Sequence, residues 1–460
     1  MALAGRTVIV VGLARSGVAA ARACLARGAR VVGNDAAPRE RLSEAARALE
    51  AAGVTLITGG HGGVDWASAA AVVVSPGVPP LAVWSELAAA GVPVLGELDL
   101  GWQLLDPAPP TVCIGGTNGK STTTTLVGAM LEAAGLTPFV GGNLGTPLAE
   151  VVPAPGEPFA HGSLVLEVSS FQSERMPALR PRAAALLNIT ADHLDRYTGL
   201  DDYAAAKGNL LVQMGPGDTV VIPDDDALCR AQARRAGAGA AVVTFGVSGD
   251  VRVTADAIVD TRCGHVYPRQ AIQLQGEHNA RNAAAAVALA AGLGLDREPI
   301  AHALATFAGL AHRIALVTTL DGVRYYDDSK GTNVGASVAA LRGLAEPRAV
   351  LIAGGRDKLG DYAPLVEALR DRGRALVLIG EAAGRIAAAV GDAVETRHAA
   401  SIEEAVALAR SLARPGDAVL LSPACSSFDM FRDYRERGDR FVAAARALAS
   451  SSAKNRPDGL

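Results

Sequence analysis

The chain is 460 residues long, half of them hydrophobic and a fifth charged, which suits a soluble globular protein of about three domains. Its net charge is −4 with no large block of one sign, so neither nucleic acid nor an anionic membrane is an expected partner, and anionic ligands must be held by local sites. Residues 1–12 lack a signal peptide's pattern, no stretch reaches about 18 uninterrupted apolar residues, and the five scattered cysteines show neither C-x-x-C nor metal spacing; a cytoplasmic protein with reduced, buried thiols and no membrane span is expected.

Short apolar runs alternate with Ala-, Leu- and Arg-rich stretches of helical length. Strands are predicted at 7–11, 71–74, 111–114, 164–166, 184–187, 349–352, 375–379 and 418–421, with helices such as 18–27, 122–134, 279–293 and 402–413 between them. Such alternation gives an α/β fold of mainly parallel sheets with helices on both faces. The stiff segment Asp106-Pro107-Ala108-Pro109-Pro110 precedes a new strand, and a second break falls near 308–313. Three domains are therefore expected: a Rossmann-like domain over 1–106, a central P-loop domain over 107–310, and a second Rossmann-like domain over 311–460.

The first strand runs into Gly12-Leu13-Ala14-Arg15-Ser16-Gly17 and then a helix, and Asp35 ends the next strand. This is the outline of a G-x-G-x-x-G dinucleotide turn. Ala14 replaces its second glycine, where bare backbone normally lets a pyrophosphate approach. The helix N-terminus still offers N–H groups to an anion. Two readings stay open: a site for a nucleotide diphosphate other than NAD, or a strand-turn-helix unit that binds nothing. Ser75-Pro76-Gly77 follows the strand at 71–74 and would face the same crevice.

Gly116-Thr117-Asn118-Gly119-Lys120-Ser121-Thr122 lies between a strand and a helix, the context that a phosphate-binding loop requires. Backbone N–H groups of such a loop wrap phosphate oxygens. Lys120 adds a compact positive charge for the β and γ phosphates of ATP, and the hydroxyl of Ser121 or Thr122 can ligate Mg2+. The text departs from G-x-x-x-x-G-K-[ST] at its first position, Ile114. A glycine turn with a chance lysine is the competing reading, and the flanking strand and helix argue against it.

Glu167 ends a strand, and the strand at 184–187 leads into Asn188-Ile189-Thr190-Ala191-Asp192-His193. A carboxylate and an imidazole near a phosphate loop suggest a second divalent cation, although Mg2+ prefers oxygen. Lys207 cannot ligate a metal as an ammonium; as a neutral amine it could add CO2 and become a carbamate, which can. Singly, each residue also has a bland reading, a structural histidine or a solvated lysine.

Together these residues resemble the Mur ligase family, ATP-dependent amino-acid ligases of peptidoglycan precursor synthesis. The resemblance is carried by 116–122, Glu167-Val168-Ser169-Ser170-Phe171-Gln172, 187–193, Lys207, Gly276-Glu277-His278-Asn279 with Asn282, Ala311-His312-Arg313, 327–333, 354–358 and 422–429. These pieces stand in family order over nearly the whole chain. Ser-Ser-Phe-Gln after the glutamate and Asp-Ser-Lys-x-Thr-Asn in the third domain resemble the branch that adds D-glutamate.

The resemblance implies UDP-N-acetylmuramoyl-L-alanine and D-glutamate as substrates, ATP, two Mg2+ ions and a monomer. Gly12, Ala14, Arg15, Ser16, Gly17, Asp35, Ser75, Pro76 and Gly77 would line the UDP site, with Asn143 on the muramoyl part. Gly116, Thr117, Asn118, Gly119, Lys120, Ser121 and Thr122 would hold ATP together with Asn279, Asn282, Arg313, Asp328 and Lys330. Lys120, Glu167, His193 and Lys207 would be catalytic. Ser121 and Glu167 would serve one Mg2+, and His193 with Lys207, as a carbamate, the other. Thr332, Lys358, Ser427 and Phe428 would bind D-glutamate. Two positions depart from the family text: Ala36, where a hydrogen-bonding residue can follow the aspartate, and Arg356, where an acid can precede the lysine. An oxidoreductase reading rests on the first turn alone and leaves the phosphate loop unexplained, while a catalytically dead nucleotide sensor would tolerate loss of Lys120.

Overall fold

A computed structural model of the chain describes residues 1–454 apart from Asp195, Gln275 and 358–360. Its strands form where Val, Ile, Leu and Ala run together, and the central ones are buried on both faces, as strands covered by helices on each side must be. The first sheet contains β1 (Thr7–Val11), β2 (Arg30–Asp35), β3 (Thr55–Thr58), β4 (Ala71–Val74) and β5 (Val94–Gly96), all parallel, in the order β3-β2-β1-β4-β5. Side-chain alternation sends Val8, Val10, Ala71 and Val73 into one core and Ile9, Val11, Val72 and Val74 into another, where Trp84 and Leu87 meet them.

The second sheet has nine strands: β6 (Thr111–Gly115), β7 (Pro138–Gly142), β8 (Ser163–Glu167), β9 (Ala183–Leu186), β10 (Thr219–Pro223), β11 (Ala241–Gly246), β12 (Val251–Val253), β13 (Ala257–Asp260) and β14 (His265–Pro268). Their order is β14-β13-β12-β11-β10-β9-β6-β8-β7, parallel except for the antiparallel extension β12-β13-β14. The third sheet contains β15 (Ala315–Leu320), β16 (Val323–Asp327), β17 (Ala349–Gly354), β18 (Gly373–Ile379), β19 (Glu395–His398) and β20 (Ala418–Leu421). It runs β15-β16-β20-β17-β18-β19, with only β15–β16 antiparallel.

The strands expected at 7–11, 71–74 and 418–421 coincide with β1, β4 and β20, and the other predicted strands agree within two residues. The antiparallel pieces were not expected. Four cysteines are buried as expected; Cys263 is exposed instead, because it sits in the short turn joining β13 to β14. Among the described residues no helix is long and apolar enough to cross a membrane. The chain separates into two compact units: Met1–Ile189, Ala204–Ile272 and Arg281–Thr306, which hold the first two sheets, and Thr190–Tyr203, Gln273–Ala280 and the chain from Phe307 onward, which hold the third.

Within the first unit, the helix Glu97–Leu104 ties the two sheets together through carboxylates at its start. Glu97 and Asp99 are 3% and 0% exposed. Glu97 Oε1 accepts the Ala149 N–H at 2.6 Å, and Asp99 Oδ1 accepts those of Ala178 and Leu179 at 2.9 and 2.7 Å. Loss of water outweighs these bonds at Glu97, whose carboxyl is pushed up to about 7. A carboxyl that binds its proton more tightly when folded makes stability fall as pH rises from its unfolded value of 4.5 to about 7. Glu97→Gln keeps an acceptor for Ala149 and removes the charge. Thermal melts from about pH 5 to pH 8 should show a shallower decline for the variant, with a midpoint at about pH 8 no lower than wild type. A midpoint lower by more than about 5 °C there would mean that the ionised group is required.

Candidate active site

In the second sheet β6 lies between β8 and β9, so the loop after β6 is bordered by the carboxyl ends of both neighbours. Gly119, at φ +86, starts the helix Lys120–Ala133, and a Cβ there would come within 2.3 Å of Asn282 Oδ1. Only glycine fits that turn. No side chain caps this helix at Gly119, which leaves the end in the arrangement that phosphate oxygens use. The Lys120 ammonium donates to the carbonyls of Gly116 at 2.9 Å and Thr117 at 2.8 Å, so it is held over the loop.

Asn188, just beyond β9, buckles the same loop. Its Oδ1 accepts the Asn118 N–H at 2.8 Å, its Nδ2 donates to the Asn118 carbonyl at 3.0 Å, and its own carbonyl accepts the Thr117 N–H at 2.9 Å. The motif that contains Asn188 does not by itself give this residue a role. The available signal was its place directly after a buried strand, at the level of the loop.

Glu167, the last residue of β8, is 2% exposed. One carboxylate oxygen accepts the Ser121 hydroxyl; the other accepts the Asn143 amide at 2.6 Å, and the Asn143 N–H donates to the Glu167 carbonyl at 2.9 Å. Thr122, next to Ser121, is buried as well. Lys207, from the helix Leu200–Gly208, is 3% exposed and donates to the Gly116 carbonyl at 2.7 Å. It is therefore not the solvated surface lysine of its bland reading. The touching, buried oxygens of Ser121 and Glu167 make a donor set that fits Mg2+, which takes one or two carboxylates and completes its shell with phosphate and water. Among the described residues no cluster of three His, Cys, Asp or Glu forms a closed metal cage.

In the first sheet the strand order reverses between β1 and β4, and the turns after those strands meet there. The Ser75 hydroxyl donates to the Gly12 carbonyl at 2.7 Å and lies 3.4 Å from the Ser16 hydroxyl. Gly17 passes so close that a Cβ would stand 1.8 Å from Gly12 O. Ala14 begins the helix Arg15–Ala26 without a side-chain cap. Asp35 accepts the Leu13 N–H at 2.7 Å and the Ala37 N–H at 2.8 Å, so it braces the turn. Pro76 is half-buried and Gly77 exposed beside it. Arg15 reaches the Gly145 carbonyl at 2.8 Å and Glu150 at 3.3 Å, which joins the turn to the loop that carries Asn143.

In the second unit, His193 adopts a left-handed backbone at φ +55 beside Asp192, which accepts the Asn333 amide at 3.2 Å. Asp328 follows β16, accepts the Ser422 hydroxyl at 2.7 Å, and is driven by burial up to about 7 against the pull of Ser422 and Arg313. Lys330 places its ammonium 4.0 Å from the centre of the Tyr434 ring, a cation–π contact. The Ala424 N–H donates to the Gly331 carbonyl at 2.9 Å, which links the segment of half-buried Thr332 to that of buried Ser427 and exposed Phe428. Lys358 lies outside the described residues. Asn279 and Asn282 are both in the helix Glu277–Gly292. Nothing in the sequence separates Arg437 from surface arginines, yet it is fully buried and donates to Ser329 Oγ at 3.0 Å, Ser329 O at 2.7 Å and Cys425 O at 3.2 Å.

Known proteins resemble this chain along its length. The family described as Mur ligase middle domain matches residues 114–290, and that described as Mur ligase, glutamate ligase domain, matches 312–425. The UDP-N-acetylmuramoylalanine--D-glutamate ligase of Geobacter metallireducens is 43% identical over 461 residues, covering 98% of this chain and 99% of its own. Among solved structures, UDP-N-acetylmuramate-alanine ligase MurC from Thermotoga maritima has a TM-score of 0.59 at 20% identity, covering 96% and 99% of the two chains. MurF ligase from the same organism, in complex with ADP, has a TM-score of 0.60 at 15% identity, covering 98% and 96%. These two share the fold.

The Asn188 buckle gives a direct test of the loop. Asn188→Ala removes two side-chain hydrogen bonds and should lower unfolding free energy by about 1–2 kcal/mol in urea. Calorimetric titration with a non-hydrolysable ATP analogue should show affinity reduced about tenfold, because the loop must then be ordered by the ligand. Unchanged affinity would remove Asn188 from the site.

Proposed function

This chain belongs to the Mur ligase family, and we propose that it joins D-glutamate to UDP-N-acetylmuramoyl-L-alanine, converting ATP to ADP and phosphate, as a step in peptidoglycan precursor synthesis. The observation that carries the reading is the 43% identity to a D-glutamate ligase over 98% of the chain. The convergence of Lys120, Ser121, Glu167 and Lys207 on the loop after β6 supports it.

A carboxylate does not form an amide unaided, because its oxygen is a poor leaving group. The L-alanyl carboxylate first accepts the γ-phosphoryl group, giving an acyl phosphate and ADP. The neutral amine of D-glutamate then adds to the acyl carbon, and phosphate leaves. Phosphoryl transfer needs alignment and charge neutralisation more than covalent help. Within 116–122 the Thr117 and Asn118 N–H groups are taken up by Asn188, so the N–H groups at the helix start, 119–122, cradle the phosphates, and Lys120 offsets their charge. Ser121 and Glu167 would hold one Mg2+, and His193 with carbamylated Lys207 a second; such ions, when bound, supply positive charge to phosphate and carboxylate oxygens. His193 acts as a ligand or positioning group rather than as the base.

The remaining assignments follow the family resemblance. Gly12, Ala14, Arg15, Ser16, Gly17, Asp35, Ser75, Pro76 and Gly77 receive UDP, and Asn143 the muramoyl part. Asn279, Asn282, Arg313, Asp328 and Lys330 complete the ATP site, and Thr332, Lys358, Ser427 and Phe428 bind D-glutamate. The three sheets are read as three domains with limits 1–106, 107–310 and 311–460, in a monomer that works in the cytoplasm.

Phosphate release from ATP in the presence of UDP-N-acetylmuramoyl-L-alanine should require D-glutamate, and L-glutamate, L-alanine or diaminopimelate should not replace it. Release with one of those and none with D-glutamate would overturn the proposal. Lys120→Ala should lower turnover about a thousandfold, the scale expected when a preorganised charge is removed from a phosphoryl-transfer site; a nucleotide sensor would keep its function.

A further inference from the structure

Two turns meet at the carboxyl ends of β17 and β20. Gly354 N–H donates to the Pro423 carbonyl at 2.8 Å, Arg356 N–H to the Ser426 carbonyl at 2.9 Å, and the Ser426 hydroxyl to the Arg356 carbonyl at 3.3 Å. The second turn is strained. Ala424 sits at φ +60, a left-handed conformation that a residue with a Cβ adopts only under external support. Ser427, two residues beyond Cys425, is buried.

Part of that support comes from a relay of side chains that the reaction as described does not use. Arg385 pairs with Asp357, and its guanidinium lies 5.5 Å from the centre of the Tyr362 ring. The Tyr362 hydroxyl is 3.0 Å from Asp357 Oδ1 and 3.4 Å from Cys425 Sγ. Tyr362 and Cys425 are 4% and 0% exposed. The hydroxyl has one proton to give, and the carboxylate is the stronger acceptor, so Tyr362 donates to Asp357 and the Cys425 thiol donates to the Tyr362 oxygen. Burial, then the contact with Cys425 and the Asp357 carboxylate, raise the Tyr362 phenol, which keeps it protonated as this requires. On the other side Arg437 donates to the Cys425 carbonyl at 3.2 Å.

We infer that Tyr362, backed by Asp357 and Arg385, is a positioning residue that fixes the Ala424–Ser427 turn at the distance D-glutamate requires, and so contributes to selection of that amino acid. This rests on the assignment of Ser427 to the D-glutamate site. The relay's contacts given above are with one another and with the Ala424–Ser427 turn, and none of those contacts is with a residue expected in the ATP or UDP sites. Its loss should therefore move one substrate's parameters and leave the other two in place.

The test is steady-state kinetics of the full chain as wild type, Tyr362→Phe and Ser427→Ala, varying each of the three substrates and comparing D-glutamate with D-aspartate, which is one methylene shorter. Tyr362→Phe retains the ring and loses only the hydroxyl. It should raise KM for D-glutamate about fivefold, the scale of one hydrogen bond, and keep kcat and the other two KM values within about twofold. Its preference for D-glutamate over D-aspartate should fall by a similar factor. An unchanged KM for D-glutamate, or all three KM values rising together with a lower melting temperature, overturns the inference. Ser427→Ala separates the two levels: if it leaves KM for D-glutamate unchanged, the site assignment itself falls, and the inference with it. If Ser427→Ala raises that KM and Tyr362→Phe does not, only the relay is wrong.

Discussion

A carboxylate at the end of a fully buried strand has to have its lone pairs met by the protein, because water does not reach it. At Glu167 the donors include the Ser121 hydroxyl, from the helix after the glycine loop, and the Asn143 amide, from the loop after β7. Desolvation therefore sets the geometry: three separate elements are held together by one group that none of them can satisfy alone. Arg15 extends the same chain of contacts to the turn after β1. The order of the parallel strands makes this possible, since β8, β6 and β9 are neighbours and all end on the same edge.

Much of this was legible in the residues. Strands rich in Val, Ile, Leu and Ala and buried on both faces give an unambiguous apolar run, so β1, β4 and β20 fall where pattern reading puts them. The glycine-lysine loop was equally plain, because phosphate binding needs a strand, a tight turn and a helix in immediate succession. The antiparallel pieces were not legible. β12 is three residues long, β14 ends in proline, and both are strands only by virtue of their partners. Lys207 shows the same limit at a single residue: nothing local distinguishes a lysine in solvent from one whose Nζ is buried against Gly116. Glu97, Asp99 and Arg437 are charged residues inside the protein, and their partners come from 52, 80 and 108 residues away.

The second unit manages buried charge in a related way. Asp327 pairs with His312 at 2.7 Å and raises that imidazole, Asp328 is met by Ser422, and Arg437 spends its donors on Ser329 and Cys425. Polar networks of this kind leave little slack, because each unmet group in a dry interior is costly. They explain why non-glycine residues can be held at positive φ here, at His312, Ile314 and Ala424. The sequence signals such positions only weakly, since the strain is offset by contacts that appear after folding.

The strand order also dictates when the loop can take shape during synthesis. β6 ends at Gly115, yet one of its neighbours begins at Ser163 and the other at Ala183, and the Asn188 amide that clasps Asn118 is 70 residues further along. Ribosomes deliver the chain N-terminus first at about 5–20 residues per second. An apolar strand and its glycine loop are thus outside the tunnel for several seconds before either flank exists to cover them. In the first sheet one flank of the central strand arrives sooner, since β1 ends at Val11 and β2 begins at Arg30, although β4 follows only at Ala71. Completion of this loop is in this sense a late event in the life of the nascent chain, and the interval before it is when β6 is most exposed to chaperones and to wrong partners.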